Sequence, residues 1–354
     1  MTNRHIYSLF FFFIAATISF LIPQEASAFP LSHYADNSVL AQGRWIKIRV
    51  DNEGLYRIPA ATLRSWGFRD LSRVRVFGYG GARISDVLSE DEYIDDLPIA
   101  PCEMTDRGLV FYGIGGGVWK AVQNYRHYEQ NPYSSYGYYF VGELAEGESD
   151  GTLPSTGTAR IDSNPSRTAE SRIHYERELT LAADAGPLMV GEDFRNTRSR
   201  TFTMDFTDAC EEATVRLECS FISSLSSAGN LAISIDDTKI GSTSINAKPS
   251  DGYVHGVATT ARHTFVCSPG RHTIGIGLTT AGTINKANLN YISVCYDRHL
   301  RLPSSGSLAF SSSQSSLALD GARDNLRIWD ISAPTATAKI DYVISDGEAH
   351  WSVD

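Results

Sequence analysis

Cysteine is scarce in this sequence and follows no metal-binding or scaffold pattern. The 354 residues include five cysteines and no C-x-x-C pair, so neither a disulfide-rich fold nor a structural zinc site is supported. The odd number leaves at least one thiol without a disulfide partner inside the chain. Because most of these cysteines lie in apolar, strand-like runs, we expect them to be buried and inert. The five are Cys102, Cys210, Cys219, Cys267 and Cys295.

The sequence also contains fewer basic than acidic residues. Lys and Arg number 31 against 41 Asp and Glu, which gives a formal net charge of -10 at pH 7. Nucleic acids and anionic membrane surfaces both favour a basic protein face, so we expect neither as a partner. Hydrophobic residues make up 42% of the chain, which is sufficient for an ordinary globular core.

Motifs that would indicate catalysis or cofactor binding are missing as well. The sequence has no H-E-x-x-H motif, and the glycine runs 78–81 and 113–117 lack the residues of a phosphate or dinucleotide loop, so we interpret them as tight turns. His263 and Cys267 would lie about 13 Å apart on an extended strand, too far for a catalytic pair. The sequence therefore predicts no catalytic residue, no metal site and no cofactor.

The amino terminus has the features of an export signal. Arg4 and His5 precede the apolar run Leu9–Ile22, and Ala26–Ala28 supplies the small residues that a signal peptidase requires. The run is shorter than the roughly 20 apolar residues of a transmembrane helix, which argues against a membrane anchor. We predict a signal peptide over residues 1–28 and an exported product, at the cell surface or outer membrane or otherwise periplasmic or secreted.

The remaining sequence predicts a mainly β protein. Short segments of alternating apolar and polar residues are separated by turns rich in Gly, Pro, Asn and Asp, and polar stretches divide them into blocks. We predict an N-terminal β-rich domain over 29–143 and a linker or long loop over 144–171. An antiparallel, jelly-roll-like β-sandwich follows over 172–302. A serine-rich seam and the start of a further β domain occupy 303–354.

Two local patterns in the first domain predict particular structures. The strands Trp45–Val50 and Leu55–Ile58 flank turn-forming residues, so we expect them to pair as a hairpin. The segment Pro59–Trp66 is followed by Gly67 and predicts a short helix.

The last predicted strands lie near Trp329 and Tyr342. No further strands follow them before Asp354, and isolated hairpins are marginal in water. We therefore expect an incomplete β segment at the carboxyl end, with Trp329 and Tyr342 on an uncovered apolar surface.

Aromatic residues are concentrated between positions 119 and 139. Tyrosine and tryptophan are favoured at interfaces and in sugar-stacking sites because each offers a flat apolar face with a polar tip. We predict a binding surface that includes Trp119, Tyr133, Tyr138 and Tyr139. The alternative is that these side chains fill the core of the first domain.

Several short stretches, in order and at matching spacing, carry a family resemblance over nearly the whole chain after residue 28. They are Ser38–Ile48, Gly54–Ile58, Arg75–Gly81, Asp96–Pro98, Val110–Gly113, Asn131–Ser134, Tyr138–Phe140, Tyr175–Glu178, Gly191–Phe194 and Ile328–Ser332. With them the chain resembles the amino-terminal, pre-catalytic region of the gingipain-like sortases of the type IX secretion system, which belong to the C25 cysteine peptidase family.

The resemblance implies a surface protein of a Gram-negative bacterium. Such sortases remove carboxy-terminal sorting domains from secreted cargo and attach the cargo to anionic lipopolysaccharide, together with an outer-membrane β-barrel shuttle. Their Cys-His pair lies in a domain beyond the region matched here, so no catalytic residue carries over and we expect this chain to be inactive alone. The alternative is a stand-alone exported carbohydrate-binding β-sandwich protein, with a glycan as its ligand.

Overall fold

A computed structural model of the chain describes residues 34–83, 95–123, 125–145, 153–182, 188–250, 255–304 and 306–353. The predicted signal peptide, residues 1–28, lies outside the described residues. The chain divides into two compact units, 1–41 with 85–97 and 42–84 with 98–354. In the first unit, a 3-10 helix spans Val39–Ala41 and the Asp96 carboxylate accepts hydrogen bonds from the Ser38 hydroxyl and from Val39 N–H. The strands described below belong to the second unit.

Residues 46–143 contain strands β1 to β9 and helix α1. Their bounds are β1 Ile46–Val50, β2 Gly54–Pro59, α1 Ala60–Ser65, β3 Val74–Phe77, β4 Ile99–Ala100, β5 Cys102–Thr105, β6 Gly108–Gly113, β7 Gly117–Val122, β8 Tyr125–Gln130 and β9 Gly137–Glu143. They form three sheets, in the orders β1-β9-β3-β4, β2-β6-β5 and β7-β8. The predicted helix is confirmed: it begins after Pro59 and ends before Gly67, whose φ is +92°.

The predicted hairpin between the first two strands is wrong. β1 pairs with β9, placing Ile48 opposite Tyr139, whereas β2 pairs with β6, placing Tyr56 opposite Phe111. Both sheets direct their apolar faces into one core. Alternation along a strand defines its buried face but not its partner, and here each strand buries that face by joining a different sheet.

The two glycine runs contact each other. Gly81 N–H donates to Ile114 O at 3.2 Å, and a Cβ built on Gly81 would lie 2.0 Å from the carbonyl oxygen of Gly115. A Cβ on Gly137 would lie 1.9 Å from Ile114 O. Glycine is required at these positions because the backbones approach too closely for any side chain.

Residues 155–299 contain strands β10 to β20. Their bounds are β10 Ser155–Thr156, β11 Thr168–Glu176, β12 Thr180–Leu181, β13 Met189–Val190, β14 Ser199–Asp205, β15 Ala213–Leu225, β16 Gly229–Ile235, β17 Thr238–Ile245, β18 Val257–Cys267, β19 Arg271–Thr280 and β20 Ile284–His299. Two four-stranded antiparallel sheets, β11-β20-β15-β18 and β14-β19-β16-β17, form a sandwich around an apolar core that includes Phe206, Leu217 and Ile276. The prediction of a mainly β protein with an antiparallel sandwich is confirmed.

The stretch 144–171, predicted as a linker or long loop, contributes to two sheets. Thr168–Ser171 begin β11, which pairs with β20, and β10 runs parallel to β23 (Ala338–Ile340). Ala169 and Ser171 are buried. The position of a boundary between the first domain and the sandwich remains a prediction.

The carboxyl-terminal strands pair with one another and, through β23, with the upstream strand β10. The remaining strands are β21 Ser316–Asp320, β22 Trp329–Asp330, β23 Ala338–Ile340, β24 Val343–Ser345 and β25 Glu348–Ser352. They form the sheets β21-β25-β24 and β10-β23-β22, over a small core centred on Trp351.

The expectation of an uncovered apolar surface at Trp329 and Tyr342 is wrong. Trp329 is buried against Val110, Tyr112 and Ile114 of the first domain. The half-buried Tyr342 donates its hydroxyl hydrogen bond to Leu326 O at 2.6 Å. The covering surface comes from residues more than 200 positions earlier in the chain, which local sequence patterns do not reveal.

Candidate functional site

Three exposed tyrosines lie in β9 and in the loop before it. Tyr133 is 78% exposed, Tyr136 39% and Tyr138 40%. Together with Lys47 and Arg49 of β1 they form what we call the tyrosine face. Large apolar surfaces left open to water are typical of binding sites, so this face is the candidate functional site.

The pairing of β1 with β9 positions the cations of the tyrosine face. Arg49 lies opposite Tyr138 in the ladder, and antiparallel partners project to the same side of a sheet. Lys47 Nζ lies 4.2 Å from the centroid of the Tyr138 ring, and Arg49 Cζ lies 4.3 Å from that of Tyr136. These cation–π contacts fix the ring orientations, while Ile46, Ile48 and Val50 point into the core.

The loop from Asn131 to Tyr136 is held by hydrogen bonds to the glycine runs. Asn131 N–H donates to Gly116 O at 2.6 Å, and its side-chain amide donates to Gly81 O at 2.9 Å. Tyr133 N–H in turn donates to Asn131 Oδ1 at 2.9 Å. Tyr133 and Tyr136 are therefore presented by an ordered turn, which lowers the entropy lost on binding.

Two of the four predicted binding residues lie elsewhere. Tyr139 is 2% exposed, and its hydroxyl accepts a hydrogen bond from Ile114 N–H at 3.0 Å. Burial raises the pKa of Tyr139 to about 12, so the phenol stays neutral in the core. Trp119 is half-buried under the Arg172 guanidinium, 5.0 Å from its ring, and contacts His174 of the sandwich. The structure thus leaves Tyr133 and Tyr138 as available binding residues and gives Tyr139 and Trp119 packing roles.

The predicted binding surface named neither Lys47 nor Arg49, while Tyr136 lies in the aromatic segment 119–139 from which that surface was drawn. The signal was present in the alternation of Trp45–Val50, which places both cations on the solvent side of one strand. The β1–β9 pairing joined them to the tyrosines, and no local sequence pattern indicates that pairing.

Four of the described thiols, those of Cys210, Cys219, Cys267 and Cys295, are not poised for nucleophilic chemistry. Burial raises the pKa of Cys219 to about 12 and that of Cys295 to about 11, and it also raises the pKa of Cys210 and of Cys267. A thiolate nucleophile requires the opposite shift. His263 and Cys267 lie four residues apart on β18, and burial lowers the pKa of this histidine. This pair has no features of a catalytic dyad.

Other kinds of site find no support in the described part of the chain. Among those residues no group of three or more His, Cys, Asp and Glu side chains could hold a metal ion. Within the same ranges, none of the helices has the length and apolar character needed to cross a bilayer.

A scan against protein-family models finds no match, and a search of curated proteins finds none. Among solved structures, the chain is similar to dimeric latent PorU from Porphyromonas gingivalis, with a TM-score of 0.77 and 23% sequence identity. The match covers 90% of this chain and 31% of PorU. At this identity the likeness concerns the fold.

Two carbohydrate-binding modules match much less well. The CBM36-1 domain of a multidomain xylanase from the hindgut metagenome of Trinervitermes trinervoides has a TM-score of 0.24 at 13% identity, covering 39% of this chain and 99% of its own. A CBM36 module in complex with calcium and xylotriose has a TM-score of 0.23 at 15% identity, covering 35% and 98%. Scores this low carry no argument about this chain.

The similarity to PorU confirms the predicted resemblance to the type IX sortase at the level of the fold, over a region equal to 31% of PorU.

Proposed function

We propose that this chain is the non-catalytic β scaffold of a sortase-like surface protein of a type IX secretion system. It would correspond to the region that precedes the catalytic domain in gingipain-like sortases. The observation that carries this proposal is the similarity of 90% of the chain to PorU at a TM-score of 0.77. Removal of sorting domains and attachment of cargo to anionic lipopolysaccharide then belong to a complete sortase, of which this fold is one part.

The chemistry of the chain supports a scaffold rather than an enzyme. Cys219 and Cys295 are buried and their thiols have raised pKa values, so they remain protonated at neutral pH. The tyrosine face offers flat rings and cations but no general acid or base aimed at a common point. Such a surface suits recognition.

We further propose export to the cell surface, with an outer-membrane β-barrel shuttle and secreted cargo as partners. The test is crosslinking in a bacterium that encodes this chain and carries a type IX system. An affinity tag is placed after residue 354, surface proteins are crosslinked, and partners are identified by mass spectrometry. We expect the shuttle barrel and cargo to be enriched over a tagged exported protein of similar size. Recovery of the chain without either of them would contradict the proposal.

A second candidate function, glycan binding, is favoured by the tyrosine face itself. Exposed Tyr133 and Tyr138 could stack on sugar rings, with Lys47 and Arg49 nearby as donors to hydroxyl or acidic groups. Affinity electrophoresis in gels containing surface polysaccharide from the same bacterium tests this candidate. We expect retardation that is lost in the double variant Tyr133→Ala/Tyr138→Ala and kept in the control Tyr34→Ala, another exposed tyrosine. Equal mobility of all three proteins with and without polysaccharide would exclude the second function and leave the scaffold proposal untouched.

A further inference from the structure

The hairpin β7–β8 of the first domain lies on the outer face of the sandwich sheet β11-β20-β15-β18. Arg126 Nε donates to Glu170 Oε1 at 2.6 Å. The His127 ring stacks on Tyr291 with centroids 5.9 Å apart, and Tyr128 contacts His174 at 5.1 Å. These contacts are ionic or between polar rings, unlike the apolar core on the other side of the same sheet.

The charged groups beneath the hairpin are already paired within the sandwich. Glu170 binds Arg216 as well as Arg126. Glu218 accepts hydrogen bonds from Arg262 Nε and from the Tyr291 hydroxyl, both at 2.7 Å. His174 contacts Ser293 Oγ and Glu176 Oε2, both at 2.9 Å. Each of these three groups would therefore keep a hydrogen-bond or ionic partner if the hairpin lifted. Separating a polar interface usually costs free energy because it leaves buried polar groups without partners, and that cost is avoided here.

The hairpin is also held to the rest of the protein by few buried contacts. Its two strands pair with each other and with no other strand among the residues that the structure describes. Each residue of β8 is only half-buried. At the base of the hairpin Val118 packs with Ile114 and Tyr112, so the hairpin stays attached to the first domain there. Segments with few buried apolar contacts open at lower free energy than the rest of a protein.

We propose that the β7–β8 hairpin is a reversible latch that lifts from the sandwich while the sandwich stays folded. Lifting uncovers a charged face of the sheet β11-β20-β15-β18, whose charged groups are already paired with other residues of the sandwich. The contacts between the hairpin and the sandwich that must break include the Arg126–Glu170 pair, the 3.8 Å approach of His127 to Glu218 and the cation–π contact of Arg172 with Trp119. Polar domain interfaces of this kind resemble those of transient complexes.

Cys295 provides a built-in reporter of the latch. It lies on β20 between Arg172 and Arg216 of the neighbouring strands, on the covered face. Arg126 N–H donates a hydrogen bond to its sulfur, and the residue is 1% exposed. Cys219 lies on the opposite, core-facing side of the same sheet and is fully buried. Lifting the hairpin would expose Cys295, whereas only unfolding of the sandwich would expose Cys219.

The test is the rate of thiol alkylation at each cysteine of the intact chain, measured by peptide mass spectrometry. We expect Cys295 to react at least about tenfold faster than Cys219, since local opening is more frequent than global unfolding. Arg126→Ala should raise the Cys295 rate several-fold further, and so should 1 M salt, which shortens the screening length to about 3 Å. The Cys219 rate should not change. The control is Arg301→Ala, which removes a surface pair with Asp320.

Equal alkylation rates at Cys295 and Cys219 would overturn the latch, because both thiols would then respond to global unfolding alone. A Cys295 rate that is the same in Arg126→Ala, in Arg301→Ala and in high salt would overturn it as well. Hydrogen exchange gives an independent measure if Arg126→Ala unfolds. Amides of β8 in the unaltered chain should then exchange faster than those of β20, and equal protection would reject the proposal.

Discussion

Two of the contacts that the described part of the first domain makes with the rest of the molecule differ in chemistry. At one, Trp329 is buried against Val110, Tyr112 and Ile114. At the other, the β7–β8 hairpin rests on the sandwich through ion pairs and polar rings. Burial of a large apolar side chain is worth several kcal/mol, whereas partly exposed ion pairs contribute little. The carboxyl-terminal contact therefore anchors the first domain, whereas the hairpin contact can open.

The largest effect is expected from Trp329→Ala. The substitution removes the centre of the apolar contact and leaves a cavity, and we expect the free energy of unfolding to fall by about 3–5 kcal/mol. Urea unfolding measures it. Trp329→Phe is the matched control, and its cost should be far smaller because the indole N–H is buried without a hydrogen-bond partner. If Trp329→Ala costs no more than a surface substitution, the contact is not an anchor.

A smaller effect is expected from Arg172→Ala at the hairpin contact. Arg172 lies over the Trp119 ring and beside the Glu53 carboxylate, which also accepts a hydrogen bond from the Tyr112 hydroxyl. Burial, together with the charge of Glu53, raises the pKa of Tyr112 well above its usual range, so this phenol remains a donor.

We expect Arg172→Ala to lower the free energy of unfolding by about 1–2 kcal/mol, through the lost cation–π and ionic contacts. The comparison with Trp329→Ala uses the same urea titration. Arg301→Ala, whose side chain is 77% exposed, should change the value by less than about 0.5 kcal/mol. If Arg172→Ala lowered the free energy of unfolding as much as Trp329→Ala, the two contacts would not differ in strength.

The smallest effect concerns an ionic contact inside the sandwich, His272 with Asp236. Burial by itself lowers the pKa of His272, but hydrogen bonds to Asp236 Oδ2 at 2.6 Å and Ser268 O at 2.8 Å outweigh it and raise the pKa. Both ring nitrogens face acceptors, which favours the imidazolium. Its stabilisation is fully present below the unfolded pKa of about 6.5 and is lost as the pH rises through the higher folded value.

We therefore expect the stability difference between the unaltered chain and His272→Gln to shrink between pH 5.5 and pH 9, by at most about 1 kcal/mol because the contact lies near solvent. Urea midpoints at several pH values measure it. His255→Gln, at an exposed histidine, is the control for replacing a histidine by glutamine. A difference that grows with pH would mean that the neutral imidazole is the stabilising form.

Strand positions in the sandwich were largely predictable. Alternation predicts strands over Ala213–Phe221 and Asn288–Tyr296, which lie within the observed β15 and β20, because one face of each strand must be apolar and the period of a strand is two. Pairing was not predictable in the same way. β1 and β2 are joined by a turn, yet β1 pairs with β9 (Gly137–Glu143) and β2 pairs with β6 (Gly108–Gly113), both far along the chain.

The candidate site shows the same division. The sequence marked Tyr138 and Tyr139 as aromatic neighbours, and adjacent residues of a strand necessarily point to opposite faces. It did not indicate which of the two was exposed. The β1–β9 pairing, with the core on the side of Ile48, decided that Tyr138 faces solvent beside Lys47 while Tyr139 is buried.

Local sequence patterns encode that this protein is built of strands, where several of them lie and, in strands such as Trp45–Val50, which side is apolar. Those properties depend on neighbours one or two residues apart. The pairing of β1 with β9 and the burial of Trp329 against the first domain depend on the tertiary structure. So does the packing of Trp119 of the hairpin under Arg172 of the sandwich. The physical reason is that a strand satisfies its hydrogen bonds and buries its apolar face with whichever distant strand completes the core best, and no local pattern encodes that choice.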